Sequence, residues 1–195
     1  STIEGGMVST DNEELYHILL SIRSHGWDRD LPKSKQKELR KKYKVNDFKS
    51  LYTFYYPGFN LRATDLQAFI GIQQMNKLDH IVESRYKNYL RYKEGIKNSF
   101  WNVTPTSNSY VSNFSYPIIT KNLDRLITEL QNNDIECRPL ICGSINEHPF
   151  WYERYGKQEL PNSKLVHEYG LYLPNNHQMT EEEVTKVIKI VNENI

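Results

Sequence analysis

An α/β layer followed by an α+β subdomain is the fold class this sequence predicts, on three observations. A turn and a short extended run open the chain and lead directly into a helical repeat. A long apolar stripe at helical spacing begins after Thr64. Beyond Asn98 the pattern changes to short strands alternating with short helices.

The opening unit is Ile3-Glu4-Gly5-Gly6-Met7-Val8, which reads as a tight turn running into a strand. Asp11 is placed to cap the first helix, with Glu14 in its first turn. Leu15, Ile18, Leu19 and Ile22 recur at helical spacing, and Gly26 is the stop signal. Between Arg29 and Lys44 lie eight basic side chains and two acidic ones. No aromatic residue interleaves with them before Tyr43, so they predict a solvated helix or loop face rather than a nucleic-acid surface. Helix is expected over 34–43. Residues 48–59 are rich in aromatics and end in Pro57-Gly58, a turn signal.

Thr64-Asp65-Leu66-Gln67 is a capping-box pattern. Leu66, Phe69, Ile70, Met75, Leu78, Ile81, Val82, Tyr86, Tyr89 and Leu90 then predict one helix running to about Lys97. A helix of that length bends or bridges two parts of a molecule. Two domains follow: residues 1–97, ending in this connecting helix, and residues 98–195, a small α+β domain. In the second, Phe114, Tyr116 and Ile118 alternate as a strand, and Pro117 places it at a sheet edge. Leu123, Leu126, Ile127 and Leu130 make a helix, and Ile135–Ile141 reads as another strand. Residues 165–169 read as helical and 171–173 as extended. Thr180-Glu181-Glu182-Glu183 is a second capping box, opening a last helix with Val184, Val187, Ile188 and Val191 inward.

Composition narrows the function only by exclusion. The chain has 25 Lys and Arg against 24 Asp and Glu, a net charge of +1, which draws it to neither nucleic acid nor anionic membrane. There is no run of about 18 apolar residues, so no membrane partner and a cytoplasmic location are expected. Cys137 and Cys142 match neither a zinc knuckle nor a redox pair and are expected to be reduced. The six histidines are scattered, with no carboxylate at metal-ligand spacing, so no metal is expected.

Glu4-Gly5-Gly6 lets the backbone turn sharply. In Pro57-Gly58-Phe59-Asn60-Leu61-Arg62-Ala63-Thr64-Asp65 an amide and a guanidinium stand two residues apart, just before a capped helix start. Such donors suit a phosphate or carboxylate. The alternative is that Asn60 caps a turn and Arg62 sits in a surface ion pair. Glu136 and Arg138 share one face of their strand, so Arg138 either reaches a sugar or diphosphate or pairs with Glu136. His148, with Pro149, Phe150 and Trp151, either shapes a loop at a substrate side or belongs to a packed aromatic loop.

Taken together, Ser1-Thr2-Ile3-Glu4-Gly5-Gly6-Met7-Val8, Ile22-Arg23-Ser24-His25-Gly26 and Gly58–Gly71 resemble three consecutive motifs of the DegT-type (DegT/DnrJ/StrS) sugar aminotransferases. Leu171-Tyr172-Leu173-Pro174 followed by Glu182-Glu183-Val184 resembles that family's closing segment. The order and approximate spacing match over essentially the whole chain. The resemblance implies the C-terminal part of a fold-type-I transferase dependent on pyridoxal 5'-phosphate (PLP): the end of the large domain, a connecting helix and a small domain. It implies amino transfer from a donor such as glutamate to a nucleotide-linked keto sugar, in polysaccharide or lipopolysaccharide biosynthesis.

In that family the Schiff-base lysine lies three residues before the position matching Ser1. No catalytic residue is therefore expected in this chain, which is expected to be inactive alone. Asn60 is implied to reach the PLP phosphate of a partner subunit, Arg62 to lie at the substrate side, and the protein to be a homodimer. Arg138 and His148 are the further substrate-side candidates. Some relatives are sugar 3-dehydratases, with His at the Schiff-base position. Asn60-Leu61-Arg62-Ala63-Thr64-Asp65 resembles their wording more than that of the aminotransferases, and Cys137-Arg138-Pro139 with Gly143 resembles their strand and loop. A 3-dehydratase, or a non-catalytic dimerisation or binding half, therefore remains the alternative.

Overall fold

A computed structural model describes residues 1–97, 106 and 109–195. By its contacts the chain divides into two compact units, Ser1–Asn76 and Lys77–Ile195.

The first unit is helical. Helix α1 spans Glu13–Ile22, α2 Lys33–Lys42, α3 Asp47–Ser50 and α4 Asp65–Met75. Asn12, not Asp11, caps α1, its side chain accepting from Leu15 N at 2.9 Å. Helix α2 carries the basic run, with Arg40, Lys41 and Lys42 in its last turn, where cations complement the carbonyl end of the helix. Its inner side buries Gln36 and Leu39. The strand expected at residues 7–8 does not form. Met7 is 92 % and Val8 71 % exposed, and the β pairing of this unit is one isolated bridge, Ser24 to Asn60, among the described residues. An extended run without a neighbouring ladder has nowhere to place its backbone hydrogen bonds except water.

The long helix is two helices. Helix α4 ends at Asn76, and α5 runs from Leu78 to Gly95. Gln73 and Gln74 occupy the positions three and four beyond Ile70, so the apolar stripe lapses there. Asn76 follows, a poor helix former whose side chain competes for backbone partners. Helix α5 packs against the C-terminal helix and carries the buried Tyr89 and Tyr92, so it belongs with the second unit rather than with residues 1–97. The boundary expected at residue 98 falls outside the described residues.

In the second unit the order is α5, β1 (Ser115–Ile119), α6 (Leu123–Asn132), β2 (Arg138–Pro139), a 3-10 turn (Ile145–Glu147), α7 (Pro149–Tyr155), α8 (Pro161–Tyr169), β3 (Gly170–Pro174) and α9 (Glu181–Asn194). The strands form an antiparallel sheet in the order β1-β3-β2, with Ser115 opposite Pro174 and Arg138 opposite Tyr172. Strand β1 is an edge, which accommodates Pro117 as expected. The strand expected over 135–141 is only two residues long, since Pro139 has no N–H to extend its ladder. Tyr116, Ile118, Leu171 and Leu173 from the sheet, Leu126 and Leu130 from α6, and Val184, Val187 and Val191 from α9 make the core with Tyr89, Tyr92 and Ile96. Both capping boxes are present, Thr64 with Gln67 and Thr180 with Glu183.

Candidate functional site

Two of the three sequence motifs of the first unit, Ile22–Gly26 and the start of Gly58–Gly71, meet at the end of α1. Phe59 N donates to Ile22 O at 2.7 Å, Leu61 N to Arg23 O at 2.8 Å, and His25 N to Phe59 O at 2.7 Å. Tyr55 N and Tyr56 N both donate to Gly26 O. Gly26 has φ +85°, and a Cβ there would lie 1.8 Å from Tyr56 O; one on Gly58 would lie 2.2 Å from Gly26 N. The two glycines thus permit a backbone-on-backbone approach that no side chain would allow. The opening residues are held on α4 instead: Gln67 Nε2 donates to Glu4 O at 2.6 Å, and the Ser1 ammonium to Gln74 Oε1 at 3.3 Å.

Asn60 sits at the bridge to Ser24 and is exposed, as is Arg62. Among the described residues neither side chain has a hydrogen bond or an ion pair, so neither the turn cap nor the surface pair left open by the sequence is formed. The Arg62 guanidinium carbon lies 5.7 Å from the centre of the Trp27 ring. Two donors carried on a hydrogen-bonded backbone, neither engaged by a protein acceptor among the described residues, suit a phosphate.

The first unit also holds a buried pair that sequence reasoning missed. Asp28, whose side chain is fully buried, accepts from Arg40 Nε at 2.7 Å, and Arg40 also reaches Asp47 at 3.2 Å. The Asp28 hydrogen bond holds the Arg40 guanidinium above its ordinary range. Burial, and then the Asp28 charge, push the Tyr55 hydroxyl up. The signal was an acid and a base twelve residues apart, one in a loop and one on a helix, which no periodic pattern reveals.

The remaining two candidates lie in the second unit. Arg138 Nη2 is 2.6 Å from Glu136 Oε1, both side chains exposed, so the ion pair is the alternative that forms. His148 does not sit in a loop interior: it is the N-cap residue of α7, with Nε2 2.8 Å from Cys142 O and its ring edge-on to His167 at 5.9 Å. Cys137 and Cys142 are free thiols, and burial pushes that of Cys137 up. Among the described residues no group of His, Cys, Asp and Glu is arranged to hold a metal, and no helix is long and apolar enough to cross a membrane.

The sequence profile of the DegT/DnrJ/EryC1/StrS aminotransferase family matches residues 1–192. The chain belongs to that family. DegT-family proteins are PLP-dependent enzymes of sugar nucleotides. GDP-4-keto-6-deoxy-D-mannose 3-dehydratase of Yersinia pseudotuberculosis is 31 % identical over 98 % of this chain and 50 % of its own length. The enzyme of the same name from Escherichia coli O55:H7 is 33 % identical over 92 % of this chain and 47 % of its own length. The chain thus spans about half the length of these DegT relatives. A solved GDP-4-keto-6-deoxymannose-3-dehydratase with a trapped PLP-glutamate geminal diamine superposes with a TM-score of 0.72 at 28 % identity, covering 93 % of this chain and 49 % of that one. The helical unit and small sheet described above are accordingly a portion of the fold-type-I architecture.

Proposed function

We propose that this chain is the C-terminal portion of a PLP-dependent sugar-nucleotide 3-dehydratase acting on a GDP-linked 4-keto-6-deoxy sugar in polysaccharide biosynthesis. The observation that carries the reading is the level and extent of its similarity to the two GDP-4-keto-6-deoxy-D-mannose 3-dehydratases. Aminotransfer, the first expectation from sequence, has less support: UDP-4-amino-4,6-dideoxy-N-acetyl-beta-L-altrosamine transaminase of Helicobacter pylori is 25 % identical over 88 % of the chain.

The donor set fits the cofactor's phosphate. Asn60 and Arg62 offer an amide and a permanent cation with no competing acceptor, on a segment pinned to α1 by the Phe59 and Leu61 hydrogen bonds. When bound, PLP serves as an electron sink for charge developing on the substrate carbon. This chain's part is binding and orientation: Asn60 donates to the phosphate, and Arg62 balances anionic charge beside it. In this reading no residue of this chain anchors the cofactor, and the chain by itself does not turn over a sugar nucleotide.

A homodimer is part of the proposal. Leu66, Phe69, Ile72 and Met75 of α4 are each more than half exposed in the single chain, as are Phe59 and Leu61 beside the site. A contiguous outward face of that kind suits an isologous contact with a second copy.

The test is turnover by the full-length gene product, given PLP, GDP-4-keto-6-deoxymannose and glutamate labelled with nitrogen-15. A 3-deoxy sugar nucleotide without label is the expected product. A sugar carrying the labelled nitrogen would establish the aminotransferase instead.

A further inference from the structure

The stretch from Trp27 to Phe54 forms an arginine-aromatic surface next to Arg62 that the cofactor role leaves unused. Trp27 is its base. The residue is 9 % exposed, its backbone carbonyl accepts from Ser21 Oγ at 2.6 Å, and the next residue, Asp28, is buried against Arg40. Two guanidinium groups lie over this one ring: Arg29 at 3.8 Å and Arg62 at 5.7 Å from its centre. Arg29 is further held by the Tyr52 ring at 5.0 Å and by a hydrogen bond to Leu51 O. Phe54 stacks on Trp27 at 6.4 Å and 16°. Tyr52 is 75 % and Phe54 56 % exposed, so each presents a ring to solvent beside the two cations.

A guanidinium laid on an aromatic face keeps its edge N–H groups outward, and its position is fixed before any ligand arrives. Two such groups, with the nearest buried acid already matched by Arg40, form a cationic strip for adjacent phosphates. Flanking exposed rings suit the face of a planar base.

We infer that Arg29 and Arg62 bind the diphosphate, and Tyr52 the base, of the nucleoside diphosphate carried by the sugar substrate. This rests on the sugar-nucleotide reading above. It adds Arg29 and Tyr52 to the site and gives Arg62 a second anion besides the cofactor's phosphate.

The experiment is calorimetric titration of the full-length protein with GDP, with inorganic pyrophosphate and with PLP, separately. The variants are Arg29→Gln, Arg29→Lys and Tyr52→Leu. Arg29→Gln is expected to weaken GDP and pyrophosphate tenfold or more, Arg29→Lys by less, and both to leave PLP unchanged. Tyr52→Leu, at a residue 75 % exposed, should weaken GDP several-fold and pyrophosphate by less, and it serves as the test should Arg29→Gln fail to fold. Unaltered GDP affinity in Arg29→Gln and Tyr52→Leu would overturn the assignment, as would a loss shared equally by PLP. If the enzyme still turns over its sugar nucleotide with unchanged KM in these variants, only this inference falls. If wild-type protein binds no GDP and turns over no sugar nucleotide, the functional reading falls with it.

Discussion

Replacing Arg40 by Met isolates the energetic role of the buried pair in the first unit. The Asp28 side chain is fully buried, and Arg40 supplies its cationic partner at 2.7 Å, while the Arg40 side chain is itself 25 % exposed. Removing one member of a buried pair leaves an uncompensated charge, at a cost of about 3–5 kcal/mol. The quarter exposure of Arg40 lets water approach, which places the expected loss near the lower end, about 3 kcal/mol. The second branch, to an Asp47 side chain that is 98 % exposed, adds no more than about 1 kcal/mol. Against a total stability of roughly 5–15 kcal/mol the loss is large. The double variant Asp28→Asn, Arg40→Met has no charge to bury and should recover most of it. The assay is urea unfolding in a background where Trp101 and Trp151 are Phe, so that Trp27 alone reports. The two compact units require the Trp27 transition to be fitted separately. A loss below about 1 kcal/mol, or a double variant as unstable as the single, would refute the argument.

Gly26→Ala meets both a φ of +85° and a carbonyl 1.8 Å from the new Cβ; it should cost at least about 2 kcal/mol and abolish GDP and PLP binding in the full-length protein. Leu126→Ala, at a fully buried position, should lose roughly 2–5 kcal/mol by urea unfolding, and a value under half of that range would mean the core repacks. Burial pushes the Tyr92 hydroxyl, which donates to Pro174 O at 2.8 Å, above the ordinary tyrosine value. The stability this brings is complete below the unfolded tyrosine pKa and is lost as pH rises above it, because only the unfolded chain ionises there. Tyr92→Phe should therefore lower stability at neutral pH and flatten its alkaline decline in thermal melts; an unchanged decline would contradict the assignment.

Elements with a strong local code were legible in the sequence. Thr64 and Thr180 form the capping boxes expected of them, and the α9 stripe of Val184, Val187 and Val191 is buried because its spacing matches one helix face. The edge position of β1 followed from Pro117 alone. Features set by partners distant in sequence were not. Met7 and Val8 look like strand but have no ladder to join, and the break at Asn76 shows only when the apolar stripe is checked turn by turn. The meeting of Ile22–Gly26 with Gly58–Leu61 was readable as family order, though not as geometry. The Trp27, Arg29 and Tyr52 cluster was hidden because its members are separated by a helix that reads as plain basic surface. The alternation that put Glu136 and Arg138 on one face proved sufficient to pair them.

The strand order β1-β3-β2 has a consequence for how the second unit is born on the ribosome. Its central strand is the last to be synthesised, and α9, which closes the core, follows it. Until Pro174 has emerged, β1 and β2 have no common neighbour, and the apolar faces of α5 and α6 have nothing to close on. The core of this unit can therefore close only once β3 and α9 have both been made. A chain released a few residues short of α9 would display Leu126, Leu130 and Leu171 to the chaperones and proteases that recognise unfinished proteins.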